Sequence, residues 1–375
     1  MIKSKLKICV LGTRGFPNVQ GGIETHCENL YPRLVNLGCE VTVFTRKGYV
    51  DPKISEFQGV RLVGLNCLRD KFLETFLHTL QGVFAARSTG CDVLHLHAVG
   101  PGFFAPLARM MGLKVVMTNH GPDYERKKWG WGAKSFLRIG EQVGTLTAHA
   151  VIAISQTIAD HLRKEYKKNV SVIPNGVHLP APIDTDDVLR KFNLNKGRYV
   201  LTIGRFVPEK GFQDLIDAFH SLEEKGNWKL VIVGDADHQD AYSRQLKDMA
   251  KRYPNIVLTG FQKGKDLAEL FSHAGLFVLP SYHEGLPIVL LEAMSYGLSC
   301  LVSDIPANRE VSLSEDRHFR VGDVMDLSKK LKHFMDHGAL LADEKEKQLA
   351  KIKSRYNWDE IAENTLKVFL SVKTI

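Results

Sequence analysis

Short apolar runs alternate with helical patterns from one end of this chain to the other, and this alternation constrains its fold more than any single residue does. In the first half the runs are Leu6–Leu11, Val41–Thr45, Val60–Leu65, Val93–His97, Val115–Asn119 and Ala150–Ile154. Several are apolar on both faces, as strands inside a parallel sheet must be. The turn Pro174-Asn175-Gly176 and the polar stretch Pro180–Asp187 break the pattern, and a second series follows. Its runs are Tyr199–Ile203, Lys229–Val233, Ile256–Leu258, Leu276–Leu279 and Leu298–Val302. Between the first two of these, Phe212, Leu215, Ile216, Phe219 and Leu222 fall on one helical face. The end is helical too, with apolar positions at Trp358, Ile361, Leu366 and Leu370. Repeated strand-then-helix units imply α/β architecture with doubly wound parallel sheets. A chain of 375 residues exceeds one core, so two Rossmann-like domains are expected, their sheets' carboxyl ends lining a cleft.

Hydrophobic content of 44% with 25% charged residues fits an ordinary soluble globular protein. The first residues read as a strand and not as a signal peptide, and no apolar stretch reaches the ~20 residues a bilayer requires. The six cysteines are scattered without a CxxC pair, which suits a reducing cytoplasm. The net charge of +8 is uneven. Residues 1–178 hold 23 Lys and Arg against 13 Asp and Glu, a surplus of 10, whereas residues 179–375 hold 27 against 29. A basic half points to phosphate-bearing ligands or an anionic membrane, or to a solvated surface with no partner. Nucleic acid is disfavoured, because no recognition motif or dense arginine cluster accompanies the charge.

The most informative segment runs from His283-Glu284-Gly285-Leu286-Pro287 to Glu292. It follows the strand-like Leu276–Leu279. Pro287 suits the first helical position and Gly297 the helix end. Glu284 then sits on a turn at a strand's carboxyl end, just before a helix N-terminus, where open α/β sheets bind ligands and favour anions. Glu292, one helical turn further, can meet ligand hydroxyls but would repel phosphates. The expected ligand has a phosphate end and a hydroxyl-rich end.

Strand Tyr199–Ile203 leads into Gly204-Arg205 and then Glu209-Lys210-Gly211. Arg205 and Lys210 stand where a phosphate would be gripped, Arg by a bidentate fork and Lys by a movable point charge. The alternative is an ordinary ion pair with Glu209 or Asp214. In the first half, Gly21-Gly22 opens a helix, where glycine permits close backbone approach by a ligand. His120 follows a strand at another sheet edge and is a candidate ligand contact. His95 and His97 alternate along a strand without a suitably spaced third metal ligand, so buried, hydrogen-bonded rings are expected. Asp235-Ala236-Asp237 resembles a DxD pair that holds a divalent ion against a diphosphate. Arg205 and Lys210 already supply cations, so neither metal nor other cofactor is expected. The stretch Arg126–Arg138, with Trp129 and Trp131, interleaves bases and aromatics; it suits either a membrane interface or a helix packed into its own domain.

These residues resemble those of the retaining family 4 glycosyltransferases of GT-B fold, over nearly the whole chain. The matching motifs are Gly21-Gly22-Ile23-Glu24, the Asp92–His97 strand, Thr118-Asn119-His120-Gly121, Ile173-Pro174-Asn175-Gly176-Val177, Gly204-Arg205 through Lys210-Gly211, and the Glu284…Glu292 pair. The region Thr13–Arg33 and the basic tryptophan stretch are also similar to a subgroup that builds bacterial surface polysaccharides, sometimes with rhamnose.

The resemblance implies a nucleoside diphosphate sugar as donor and a glycan, free or lipid-linked, as acceptor. Arg205 and Lys210 would bind the donor diphosphate, and Glu284 the sugar hydroxyls with the amides of Gly285 and Leu286 beside Pro287. Glu292 would hold the ribose, Gly21 and Gly22 would approach the phosphates, and His120 would contact the transferred sugar. No metal is implied. The domains would be 1–178 with a closing helix 356–375, and 179–355. A cytoplasmic enzyme touching the anionic inner membrane is the implied setting. Rival readings are a GT-B nucleotide-sugar epimerase and an inactive carbohydrate-binding partner.

Overall fold

The computed structural model describes residues 5–67, 73–125, 130–223, 225–236 and 239–373. The chain divides into two compact units, Met1–Gly176 with Trp358–Ile375, and Val177–Asn357.

The first unit is built on β1 (Lys7–Leu11), β2 (Glu40–Arg46), β3 (Glu56–Phe57), β4 (Val60–Leu65), β5 (Val93–His97), β6 (Lys114–Asn119), β7 (Ala150–Ala153) and β8 (Ser171–Val172). They form one sheet in the order β3-β4-β2-β1-β5-β6-β7-β8, parallel throughout except for the β3–β4 edge pair. β5 is buried at every position, with rings or aliphatic side chains covering both faces. That is why its residues do not alternate in polarity with exposure.

The closing helix, Trp358–Lys373, belongs to this unit and packs on the first helix, Gly22–Asn36. Its inward face is Trp358, Ile361, Ala362, Thr365, Phe369 and Val372. Leu370, expected inside, is 48% exposed, because Phe369 takes the core position against the His95 ring. Gly176 is needed beneath this helix: a Cβ there would strike the Trp358 indole.

The second unit carries β9 (Tyr199–Ile203), β10 (Lys229–Val233), β11 (Ile256–Gly260), β12 (Leu276–Leu279), β13 (Cys300–Ser303) and β14 (His318–Phe319) in the order β11-β10-β9-β12-β13-β14. All pairs are parallel. This is the doubly wound 3-2-1-4-5-6 arrangement, and its strand order reverses between β9 and β12. Phe212, Leu215, Ile216, Phe219 and Leu222 all enter the core as their spacing predicts.

Two boundaries differ from expectation for a physical reason. Pro287 is the N-cap and not the first helical residue: its carbonyl accepts from the Leu290 and Leu291 amides at 3.1 and 3.4 Å, so the helix is Ile288–Ser295. At the other end Gly297, with φ +71°, closes a Schellman motif in which Leu298 N–H donates to the Ala293 carbonyl at 3.1 Å. Leu298 is thereby used up in the cap, and β13 starts at Cys300.

Candidate functional site

In the second unit the loops after β9 and β12 flank the topological switch point. The β9 loop is pinned at its base: Gly204 N–H donates to the Val233 carbonyl at 2.9 Å and Phe206 N–H to the Asp235 carbonyl at 3.1 Å. A single turn, Pro208–Lys210, then ends at Gly211, whose φ of +64° suits glycine. Any side chain there would strike the Pro280 carbonyl, so glycine lets the β9 and β12 loops touch. Tyr282 N–H donates to the Glu209 carbonyl at 2.8 Å, a second tie between them.

This backbone contact sets the chemistry. Lys210 Nζ donates to Glu284 Oε1 at 2.6 Å, joining cation and carboxylate from opposite sides of the switch point. Both side chains are mostly buried, 18% and 12% exposed. The ion-pair alternatives for Lys210 had been Glu209 and Asp214. Instead Asp214 accepts from the Tyr282 hydroxyl, and Glu209 is buried with no hydrogen-bond partner for its carboxylate among the described residues. Arg205 lies partly buried on the same loop.

Gly285 and Leu286 follow Glu284 in a bend before the helix, with Leu286 buried. Glu292 lies in the second turn of that helix, partly buried, and burial pushes its pKa up to about 7. Asp235 is committed to Lys247 at 2.7 Å, while Asp237, the other member of the DxD pair, lies outside the described residues.

In the first unit Gly21 is the N-cap of the first helix at φ 153°, ψ 151°. A Cβ on it would collide with the Glu24 carboxylate, which Arg14 holds through its backbone N–H at 3.0 Å and its Nε at 3.2 Å. Gly22 has open space where a Cβ would lie. The same helix brings His26 to His120, ring centroids 5.2 Å apart, so the glycine pair and His120 lie on neighbouring elements.

His120 caps β6 within a network of buried imidazoles. His97 Nδ1 is 2.8 Å from His120 Nε2, His97 Nε2 is 2.5 Å from the Tyr31 hydroxyl, and that hydroxyl is 2.9 Å from His95 Nδ1. His95 Nε2 is 2.7 Å from Thr118 Oγ1. His26 Nδ1 donates to Asn175 Oδ1 at 2.9 Å. Burial is the main cause of lowered pKa values here, to about 4 for His26 and about 3 for His95. His97 and His120 also fall well below the usual histidine value, helped by neighbouring imidazoles. All four rings are neutral at physiological pH.

His95 and His97 are therefore buried and hydrogen-bonded, as expected. The third imidazole near them is His26, whose nitrogen lies within 4.8 Å of those of His97 and His120. It comes from a different element, so strand spacing could not reveal it.

Glu141 is a further contributor that sequence reasoning missed. It is 1% exposed and accepts from Asn119 Nδ2 at 2.9 Å and the Tyr124 and Tyr166 hydroxyls at 2.9 and 3.1 Å. Asn119 Oδ1 in turn accepts from Gly121 N–H at 2.8 Å, which fixes the loop bearing His120. A glutamate inside the otherwise apolar face Leu137, Gly140, Gly144 was the available signal.

Residues 20–180 match the family model Glycosyltransferase Family 4, and residues 184–355 match Glycosyl transferases group 1. The chain belongs to the glycosyltransferases. Its fold is GT-B, as expected. An uncharacterized glycosyltransferase of Methanocaldococcus jannaschii is 26% identical over 328 residues, 82% of each chain. The UDP-Gal:α-D-GlcNAc-diphosphoundecaprenol α-1,3-galactosyltransferase of Escherichia coli is 29% identical over 238 residues, 58% of this chain and 59% of that one. HepE of Anabaena, solved in complex with UDP and glucose, superposes with a TM-score of 0.80 at 18% identity, covering 98% of this glycosyltransferase and 100% of that chain.

No helix among the described residues is long and apolar enough to cross a membrane. Of the tryptophan stretch, Trp129 lies outside the described residues. Trp131 starts the helix Trp131–Thr147 and is 87% exposed, with Ile139 and Leu146 exposed along the same stripe, while Leu137 packs inward.

Proposed function

We propose that this glycosyltransferase moves a hexosyl group from a nucleoside diphosphate sugar to a hydroxyl of a lipid-linked glycan, with retention of anomeric configuration, in bacterial surface polysaccharide synthesis. The observation that carries this reading is the Lys210–Glu284 pair at 2.6 Å, set between the β9 and β12 loops. Side by side at the switch point, a cation suited to diphosphate and a carboxylate suited to sugar hydroxyls can meet one ligand that presents both groups. HepE, crystallised with UDP and glucose, supports the donor class, and the E. coli relative's name supports a lipid-diphosphate acceptor.

Breaking the anomeric C–O bond puts positive charge on the sugar ring and negative charge on the departing phosphate. Arg205, Lys210 and the helix N-terminus beyond Leu286 and Pro287 stabilise that leaving charge, with no metal needed. Glu284, with the amides of Gly285 and Leu286, orients the sugar, and Glu292 receives the ribose hydroxyls. Gly21 and Gly22 give the phosphates close backbone approach, and His120 contacts the transferred sugar. The acceptor attacks from the face the diphosphate leaves, and a donor phosphate oxygen takes its proton.

The exposed stripe of Trp131, Ile139 and Leu146, with Arg138 beside it, supports peripheral contact with an anionic membrane on its cytoplasmic face. The test of the central reading is Lys210→Ala and Glu284→Ala, each expected to lower turnover by about 10²–10³ with circular dichroism unchanged. Near-normal turnover in both would remove the site.

A further inference from the structure

The histidine network around His120 is a single file of hydrogen bonds: Thr118, His95, Tyr31, His97, His120. Every interior member is a neutral imidazole or a phenol, with one hydrogen to give and one lone pair for its neighbour. The phenol oxygen could accept from both rings, but its buried hydroxyl hydrogen would then have no acceptor, so the file runs head to tail and the direction of one bond dictates the direction of all four. Either each hydrogen points toward His120 or each points toward Thr118.

Thr118 decides between them. It is 1% exposed, and its hydroxyl has His95 as its partner among the described residues. If the hydrogens point toward His120, Thr118 O–H donates to His95 Nε2, and the one hydrogen left over is His120 Nδ1–H, on a ring that is only partly buried. If they point the other way, His95 donates to Thr118, whose own buried hydroxyl hydrogen is left without an acceptor. Such a group is costly inside a protein. The first direction wins. Thr118 donates to His95 Nε2, His95 Nδ1–H to Tyr31, Tyr31 O–H to His97 Nε2, and His97 Nδ1–H to His120 Nε2. With Nε2 occupied as an acceptor, neutral His120 carries its proton on Nδ1.

We propose that Thr118, His95, Tyr31 and His97 are positioning residues that lock His120 as its Nδ1–H tautomer, so that it meets a bound ligand as a hydrogen-bond donor and not as a base. Its partner is then an acceptor atom, a sugar hydroxyl oxygen or a ring or phosphate oxygen. The depressed pKa values of the three imidazoles keep the file neutral, which the head-to-tail order requires. The tautomer lock follows from the first unit alone. Its use in transfer rests on the function proposed above.

The test is long-range ¹H–¹⁵N correlation on ¹⁵N-histidine-labelled, ligand-free protein, with Thr118→Val and Tyr31→Phe as near-isosteric variants. In the wild type His120 should show a protonated Nδ1 and a bare Nε2. Thr118→Val, four hydrogen bonds away along the file, should mix the tautomers at His95, His97 and His120, and Tyr31→Phe should do so at His97 and His120. On the transfer reading, kcat should fall about fivefold with donor KM nearly unchanged, the worth of one neutral hydrogen bond.

A protonated Nε2 on wild-type His120 would overturn the lock, and so would tautomers that stay fixed in both variants. Stoichiometric zinc held by His26, His97 and His120 in the purified protein would overturn it as well, because the metal would take the lone pairs the file uses. Full turnover by His120→Ala would instead count against the proposed function, since the tautomer spectra need no ligand.

Discussion

On the proposed function, Glu284 and an incoming diphosphate compete for the same ammonium. Glu284→Gln keeps the side chain's shape and removes only its charge. At 2.6 Å the gross attraction is about 6 kcal/mol for an effective dielectric near 20. Most of it is offset by the desolvation of two side chains that are only 18% and 12% exposed. What remains is the difference between a charged and a neutral hydrogen bond, about 1–1.5 kcal/mol. A free nucleoside diphosphate, which has no sugar for Glu284 to hold, should then bind Glu284→Gln about five- to tenfold more tightly than the wild type. Turnover of the nucleotide sugar should fall. Isothermal titration with whichever of UDP, GDP and dTDP binds the wild type best measures the first effect. The same substitution in a Lys210→Met background supplies the control, where the gain should vanish. Unchanged or weaker nucleotide binding in Glu284→Gln, or an equal gain without Lys210, would refute the competition.

Three other outcomes follow from the same geometry. On the proposed function Glu292, raised to about 7 by burial, accepts more strongly from ribose hydroxyls when ionised, so nucleotide affinity should weaken as pH falls below 7, by up to about tenfold per unit; Glu292→Gln should flatten the profile in titrations from pH 5.5 to 8.5. The buried histidines act on stability. Their folded pKa values lie below the unfolded value, so stability is retained above about pH 6.5 and lost as pH falls, His26 contributing down to about 4. Each such ring drains about 1.4 kcal/mol per pH unit, and His26→Gln should make acid unfolding, followed by circular dichroism, shallower. Added salt should weaken binding of the protein to anionic vesicles, with Trp131→Ser weakening it further in a flotation assay; salt-independent binding would remove the basic surface from that role.

The strands were legible because doubly wound sheets bury both faces of their central members, which leaves continuous apolar runs that no polar alternation disguises. The β9 and β12 loops were legible for a related reason. Loops at a sheet's carboxyl edge carry chemistry, and Arg205, Lys210 and Glu284 stand within a few residues of strand ends. The bond between Lys210 and Glu284 was not, since 74 residues separate them and only the reversal of strand order brings their loops together. The His120 network was hidden more deeply. Tyr31 and His97 are 66 residues apart, and His26 and Asn175 are 149 apart. Tyr31 is moreover an inward aromatic on an amphipathic helix, a position where sequence alone reads only packing. At the closing helix Leu370 was expected inside, but Phe369 packs against the His95 ring and leaves Leu370 outside.

Charge and chemistry are divided between the two halves in opposite ways. The surplus of 10 positive charges lies in residues 1–178, yet Arg205 and Lys210 belong to the half whose acids slightly outnumber its bases. In the first unit the imidazole file is uncharged, its rings kept neutral by burial, while charge beside it is carried by the Arg14–Glu24 pair at Gly21 and by the Glu141 carboxylate. The imidazole file uses none of that unit's excess basic residues. On the proposed function, donor binding rests on two cations at short range, where position counts for more than number. A general basic surplus acts over about a Debye length, roughly 8 Å in physiological salt, and draws in whatever broad anion lies before the surface. On the proposed function that anion is the lipid diphosphate of the acceptor and the membrane that carries it. On that reading the first unit's basic surface is suited to hold the acceptor near the membrane.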